Sequence, residues 1–289
     1  MNGILLIDKP SDWTSSDVVA KLRGILRERR IGHSGTLDPL ATGLLVVFVG
    51  RATRAVEFAE SHDKRYIAGL RLGMRTDTQD ITGNVLTQTS ADVSREELEN
   101  VLPQFRGEIS QIPPMYSAIK VNGQKLYDIA RRGGEVERKA RNIYISSLDI
   151  IGFDELDYIL DVSCSKGTYI RTLCNDIGEA LGCGACMSSL RRVQAGDFTL
   201  DNAYTLQQVQ EAADRGEADK LLIPVDSLFA EMPSLTVSAA AEKKLRNGNA
   251  VACDAPDGEY RVYSKDEAFL LIGKVESGAL RTIKSFFEV

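Results

Sequence analysis

The sequence predicts a chain of the mixed α+β class that carries a small β-rich module at its C-terminal end. Three observations predict it. Short apolar runs, such as residues 3–7 and 44–49, read as buried strands. Between such runs, segments such as 18–26 and 170–181 place apolar residues at helical spacing. From residue 231 onward the texture changes to short strands with one helix, so residues 1–230 and 231–289 are expected to form two units.

The elements follow in order. Residues 3–7 form a strand that ends in the turn Asp8-Lys9-Pro10, which is expected to present Lys9. Ser15 or Ser16 is the expected cap of a helix whose Val18, Val19, Leu22, Ile25 and Leu26 share one face. Its other face and its exit carry Lys21, Arg23, Arg27, Arg29 and Arg30. After the 44–49 strand, residues 51–61 read as helix or turn and 64–73 as a strand opening with Lys64, Arg65 and Tyr66. Residues 75–83 read as a polar loop, and Ser94 with Glu97 forms a capping box for a short helix. Pro113 and Pro114 mark an irregular linker, and residues 117–141 form a basic, glycine-containing insertion expected to be mobile. Residues 143–153 and 158–165 read as a strand pair, and Gly182 ends the helix that follows them. In the last unit, a helix over 238–247 closes at Gly248, and short strands surround it.

With 289 residues, 43% hydrophobic and 26% charged, the chain has enough apolar material for a full core. No apolar run approaches a membrane span, and no basic region leading into an apolar core opens the chain. Five cysteines, an odd number without a framework spacing, fit a reducing compartment, so a cytoplasmic location is expected. The net charge of −6 speaks against nucleic acid on average. Charge is unevenly spread, however. The helix above and the insertion, with Lys120, Lys125, Arg131, Arg132, Arg138, Lys139 and Arg141, are locally basic, while residues 201–219 are acid-rich. Phosphate binding needs a basic face and not a basic average, so RNA stays open as a partner.

Residues 32–43 read Gly-His-Ser-Gly-Thr-Leu-Asp-Pro-Leu-Ala-Thr-Gly. Gly32, Gly35 and Gly43 permit sharp turns and close approach, and Pro39 holds Asp38 on extended, stiff backbone. A lone acid so placed fits a nucleophile or general acid/base. It also fits a turn in which Asp38 merely caps a backbone N–H. Arg171 falls in the first turn of its helix, where the dipole disfavours a cation. That placement asks for an anionic partner or open solvent. Cys183 and Cys186 have metal or redox spacing, but no second close Cys/His pair exists, and His33 and His62 are remote in sequence. Asp77 and Asp80 lack the ligating acid that an EF-hand needs further on. No metal is expected. No Walker loop, dinucleotide fingerprint or serine elbow is present.

Together these segments resemble the bacterial tRNA pseudouridine-55 synthases of the TruB type. The resemblance rests on Leu5 to Pro10, Gly32 to Gly43, Lys64-Arg65-Tyr66, Arg71 to Thr78, Pro114 to Ala118 and Ser165 to Arg171, in family order. It implies a pseudouridine synthase fold with a central, largely antiparallel sheet, and a PUA-like RNA-binding module over 231–289. It further implies isomerisation of uridine 55 in the tRNA T-loop, with no metal or organic cofactor, no guide RNA, no obligate protein partner and no membrane. The target base has to leave its stack to react.

By position, Asp38 matches the family's catalytic aspartate and Arg171 the arginine that pairs with it, keeping it ionised and aimed. Tyr66 matches the tyrosine that packs on the flipped base. His33 and Tyr169 resemble substrate-positioning residues, Lys9 and Pro10 the first family motif, and Leu190 an apolar pocket wall. The 117–141 insertion resembles a loop that closes over the T-arm. The related guide-RNA-dependent synthases, and an RNA-binding protein without activity, are the competing readings. The compact length and the retained Asp38, Tyr66 and Arg171 speak against both.

Overall fold

The computed structural model describes residues 1–287 apart from 118, 122 and 155, so Ala118 of the resemblance and part of the insertion lie outside the described residues. Strand β1 (Gly3–Lys9) leads into helix α1 (Ser15–Leu26), short strand β2 (Ile31–Ser34) and β3 (Thr42–Val49). A single turn, α2 (Val56–Glu60), precedes β4 (Lys64–Leu72), the hairpin β5 (Met74–Thr76) and β6 (Val85–Gln88), and α3 (Arg95–Val101). Next come β7 (Gly107–Gln111), the small hairpin β8 (Lys120–Val121) and β9 (Gln124–Lys125), and α4 (Leu126–Ala130). The long pair β10 (Arg141–Asp154) and β11 (Asp157–Cys164) is followed by α5 (Ile170–Ala180), β12 (Ala185–Ala195), β13 (Phe198–Thr199) and α6 (Leu206–Asp214). The chain ends with β14 (Ser234–Thr236), α7 (Ala239–Arg246), β15 (Val251–Ala252), β16 (Gly258–Tyr263), β17 (Phe269–Glu276) and β18 (Ala279–Ser285).

Among the described residues the larger sheet has nine strands, in the order β1-β3-β12-β4-β11-β10-β7, with β2 on β3 and β13 on β12. Its pairings are antiparallel except one. β12 meets β3 in parallel at Arg191↔Thr42 and Arg192↔Gly43, and the remainder of that edge of β3 pairs with β2. β1 is apolar over Ile4–Ile7 and β3 over Leu44–Val49 because both faces are covered there. Leu5, Ile7, Leu45 and Val47 pack under Val18, Leu22 and Leu26 of α1. Ile4, Leu6, Leu44, Val46 and Phe48 pack on the other side with Phe229, Ile272 and Phe286. A second sheet, β14-β16-β17-β18-β15, supplies Ile272 and closes over its own core of Leu245, Val262, Leu271 and Leu280.

Several expectations need correction. Thr14, not Ser15 or Ser16, caps α1, in a capping box with Asp17. Ser15 is buried and used elsewhere. Lys9 is the last residue of β1 and is fully buried, so the strand end does not present it. Gly32 lies within β2, where an added Cβ would meet nothing closer than 3.8 Å; among the three glycines of that segment, only Gly35 and Gly43 have positive φ. The sequence reading also lacked β12, which occupies the middle of the sheet.

Candidate active site

The Asp38 segment crosses the gap between β2 and β3 and is tied down along its length. Arg192 Nη2 donates to the Gly35 carbonyl at 2.9 Å. The Ser15 hydroxyl accepts from Leu37 N–H at 2.9 Å and donates to the Leu37 carbonyl at 3.2 Å. Ala41 N–H donates to the Asp38 carbonyl at 3.0 Å. The Pro39 carbonyl accepts from Asp12 N–H at 2.9 Å and from Lys9 Nζ at 3.3 Å. Lys9 Nζ also donates to the carbonyls of Pro10 and Trp13. Its cation is thus spent on backbone.

Arg171 projects from the first turn of α5 and is 5% exposed. Its Nε lies 3.0 Å from Asp38 Oδ2. Nη2 donates to the Tyr116 carbonyl at 2.8 Å and Nη1 to the Thr78 carbonyl at 3.1 Å. Nη1 also stands 3.7 Å from Asp80 Oδ2. Asp80, weighed in the sequence only as part of an unfit metal loop, is a second carboxylate on the same guanidinium. It is buried and accepts from both the N–H and the hydroxyl of Thr82 and from the Thr78 hydroxyl. The anion that Arg171 required by its helix position is therefore supplied by the loop before β3 and by the turn after β5.

Electrostatics at Asp38 run in two directions. Burial holds the carboxyl above its ordinary range, and Asp80 adds to the rise; Arg171 and Lys9 oppose it. Pairing with Arg171 reduces the shift without reversing it. The side chain still keeps 40% of its surface open, so one side remains reachable.

Around the carboxylate, Tyr66, Leu190, Leu37, Ala41 and Ile170 belong to one apolar cluster. Tyr66 is 9% exposed, and burial pushes its phenol up. Tyr169 precedes α5, half-buried, with its N–H and carbonyl both held by the Gln111 side chain at 2.8 and 3.1 Å. His33 lies on β2 opposite Val47 and its Nδ1 is buried without a partner; burial and the nearby Arg192 charge push its pKa down. Arg192 is 1% exposed beside this group. Pro10 is exposed next to Lys9.

A carboxylate and a buried arginine beside an apolar cluster suit a flat, uncharged ring attacked or deprotonated at carbon. Among the described residues no three His, Cys, Asp or Glu side chains come together to hold a metal, and the five cysteines are free.

Comparison with known proteins decides the family. Residues 23–170 match the model of the TruB family pseudouridylate synthase N-terminal domain. The chain belongs to the TruB family. Residues 171–230 of this TruB-family chain match the tRNA pseudouridylate synthase B C-terminal domain, and residues 233–283 match the C-terminal model of pseudouridine synthase II TruB. The chain is 44% identical over 282 residues to tRNA pseudouridine synthase B of Azoarcus sp. (strain BH72), covering 97% of this chain and 93% of that one. It is 41% identical to the protein of that name from Clostridium kluyveri, covering 99% and 100%. It is thus a pseudouridine synthase, an isomerase. Among solved structures, a Cbf5-Nop10-Gar1 complex matches with a TM-score of 0.74 and 26% identity, covering 99% of this chain and 85% of that one. An H/ACA RNP bound to a substrate RNA containing 2'-deoxyuridine matches with a TM-score of 0.73 at 24% identity, with the same coverage, and shares the fold.

Proposed function

We propose that this TruB-family chain converts uridine 55 in the T-loop of tRNA to pseudouridine, with Asp38 as its catalytic carboxylate. The observation that carries this reading is the Asp38–Arg171 pair, which stands beside the apolar cluster that contains Tyr66 and Leu190. The tRNA named for its relatives supports the substrate. In the reaction the N1–C1′ bond breaks, the uracil turns in place, and C5 joins C1′ while the C5 proton is lost and N1 gains one. Asp38 acts on carbon as an anion, so its ionised form is the working one.

The remaining roles follow from position. Tyr66 and Leu190 sandwich the flipped base, and Tyr169 and His33 border it. Lys9 and Pro10 hold the Asp38 loop and do not contact the RNA, since the Lys9 ammonium is occupied by carbonyls. Phosphates are met by the exposed cations of α1 and its exit and by those of the 117–141 insertion, where Lys125 and Arg131 flank the Tyr127 ring at 5.2 and 5.4 Å. Residues 231–289 add an RNA-binding module to a catalytic unit over 1–230. No helix among the described residues is long and apolar enough to cross a membrane. Acting on tRNA fits a cytoplasmic enzyme, and this reading calls for no cofactor, guide RNA or protein partner.

The test is pseudouridine mapping on an unmodified tRNA transcript incubated with purified protein alone, beside Asp38→Asn. One new pseudouridine in the T-loop, absent with the variant, supports the assignment. No product with tRNA still bound would favour a binding protein. Product that appears only when a guide RNA is added would favour the guide-dependent relatives.

A further inference from the structure

Arg192 is the largest of the fully buried side chains, and among the described residues no carboxylate is paired with it. A guanidinium stays charged inside a protein, and a buried charge without an opposite one is heavily disfavoured unless its donors are satisfied. Here the partners are neutral and lie on three separate segments, β3, the loop after β2 and β4. Nε donates to the Leu44 carbonyl at 2.7 Å, Nη2 donates to the Gly35 carbonyl at 2.9 Å, and the guanidinium lies against the Tyr66 hydroxyl. In register, Arg192 stands opposite Tyr66 of β4 on one side and opposite Gly43 of β3 on the other.

The glycines at either end of the Asp38 segment make room for the same residue. A Cβ at Gly35 would stand 3.0 Å from Arg192 Nη1, and one at Gly43 would stand 2.3 Å from the Arg192 carbonyl. At 1% exposure Arg192 does not reach an RNA, so it acts through what it holds.

We propose that Arg192 is a positioning residue whose rigid fork fixes the Asp38 segment, through the Gly35 carbonyl, relative to Tyr66, through its hydroxyl. The inference rests on the reading of Asp38 and Tyr66 as the residues that handle the target uridine. A planar fork spans two partners at fixed geometry where an ammonium does not. Displacing a reacting group by about an ångström lowers rate by about a hundredfold while leaving distant binding contacts intact.

Single-turnover pseudouridine formation and tRNA binding are measured for the full chain and for Arg192→Lys, Tyr66→Phe and the double variant, with circular dichroism to establish folding. Arg192→Lys is expected to lower the rate roughly ten- to a hundredfold with Kd for tRNA within about twofold. In the Tyr66→Phe background the same change costs less, because one of the two links is already cut. A wild-type rate in folded Arg192→Lys overturns the inference, and so does a fully additive double variant. Should Arg192→Lys fail to fold, Arg192→Gln decides, since it keeps a donor but not the fork: rate loss with tRNA binding retained supports the role, and a wild-type rate overturns it. Asp38→Asn is run alongside. If it turns over normally, the functional reading itself falls. If it is inactive while Arg192→Lys is not, only the role of Arg192 falls.

Discussion

Arg171 Nε and Asp38 Oδ2 lie 3.0 Å apart, although 133 positions separate the two residues in the chain. The pair joins the loop between β2 and β3 to the start of α5, and Arg171 adds bonds to Thr78 and Tyr116 from two further segments. One guanidinium thus gathers four parts of the chain at the Asp38 carboxylate.

Removing Arg171 is expected to damage activity and fold together. Arg171→Ala leaves the Thr78 and Tyr116 carbonyls without their donor and Asp80 without its nearby cation, at a cost of about 1–3 kcal/mol. Turnover is expected to fall by at least about a hundredfold through loss of aim at Asp38. Arg171→Lys, which keeps charge but not the fork, is expected to recover stability more than rate. Chemical denaturation and single-turnover kinetics separate the two.

Asp38 is expected to lower the stability of the protein that depends on it. Its folded carboxyl sits above its ordinary value, so the native state holds a proton that the unfolded chain has released, and stability falls as pH rises through that interval. Asp38→Asn is therefore expected to melt higher than wild type at pH 7, with the difference fading as pH drops below 3.8, the ordinary value. For turnover, the acid limb of the rate profile is expected above that value, because the ionised form works. Melting curves from pH 3 to pH 8 and a kcat profile check both.

Lys9 gives the opposite dependence on pH. Burial pushes its ammonium down to about 8 from 10.5, so between those values the unfolded chain binds the extra proton and stability rises with pH. The stability of wild type relative to Lys9→Met is expected to grow from pH 8 to pH 10.5, measured by urea unfolding at each pH. A flat difference would show that the ammonium is not the strained group.

Gly43 is expected to tolerate no side chain. With φ at +95° and the Arg192 carbonyl 2.3 Å from an added Cβ, Gly43→Ala has to part β3 from β12. The expected loss is roughly 2–4 kcal/mol, combining backbone strain with overpacking. Thermal unfolding measures it. Gly32→Ala, which meets only side-chain methyls at 3.8 Å and beyond, is the matched control and is expected to change stability little.

Much of this was legible in the sequence because local rules held. The continuous apolar runs of β1 and β3, the Ser94 capping box and Gly248 after α7 appear where local pattern puts them. The helix position of Arg171 asked for an anion or open solvent, and Asp38 and Asp80 supply the anion. What stayed hidden was settled by distant contacts. β12 escaped detection because two arginines stand in it and its register slips between Met187 and Ser189 and again between Arg192 and Gln194, which breaks the alternation of faces. Thr14 took the cap because Ser15 was needed at Leu37, 22 positions away. Asp80 looked like half of a poor calcium loop, and only the fold shows that its neighbour is Arg171.

The aromatic seam between the two sheets bears on how the C-terminal module can be studied. Phe229 meets Phe58 edge-on with ring centres 5.1 Å apart and also contacts Phe269 and Phe286, while Lys284 bonds Glu57 and Tyr263 bonds Asp226 across the same junction. A chain shortened to residue 230 would bare the Ile4, Leu6 and Phe48 side of the first sheet to water, a sticky surface that invites self-association. Loss of tRNA binding in such a truncation would then report insolubility and not a missing contact. Charge reversal at the exposed Lys243 and Lys244 leaves that seam whole and asks the question cleanly.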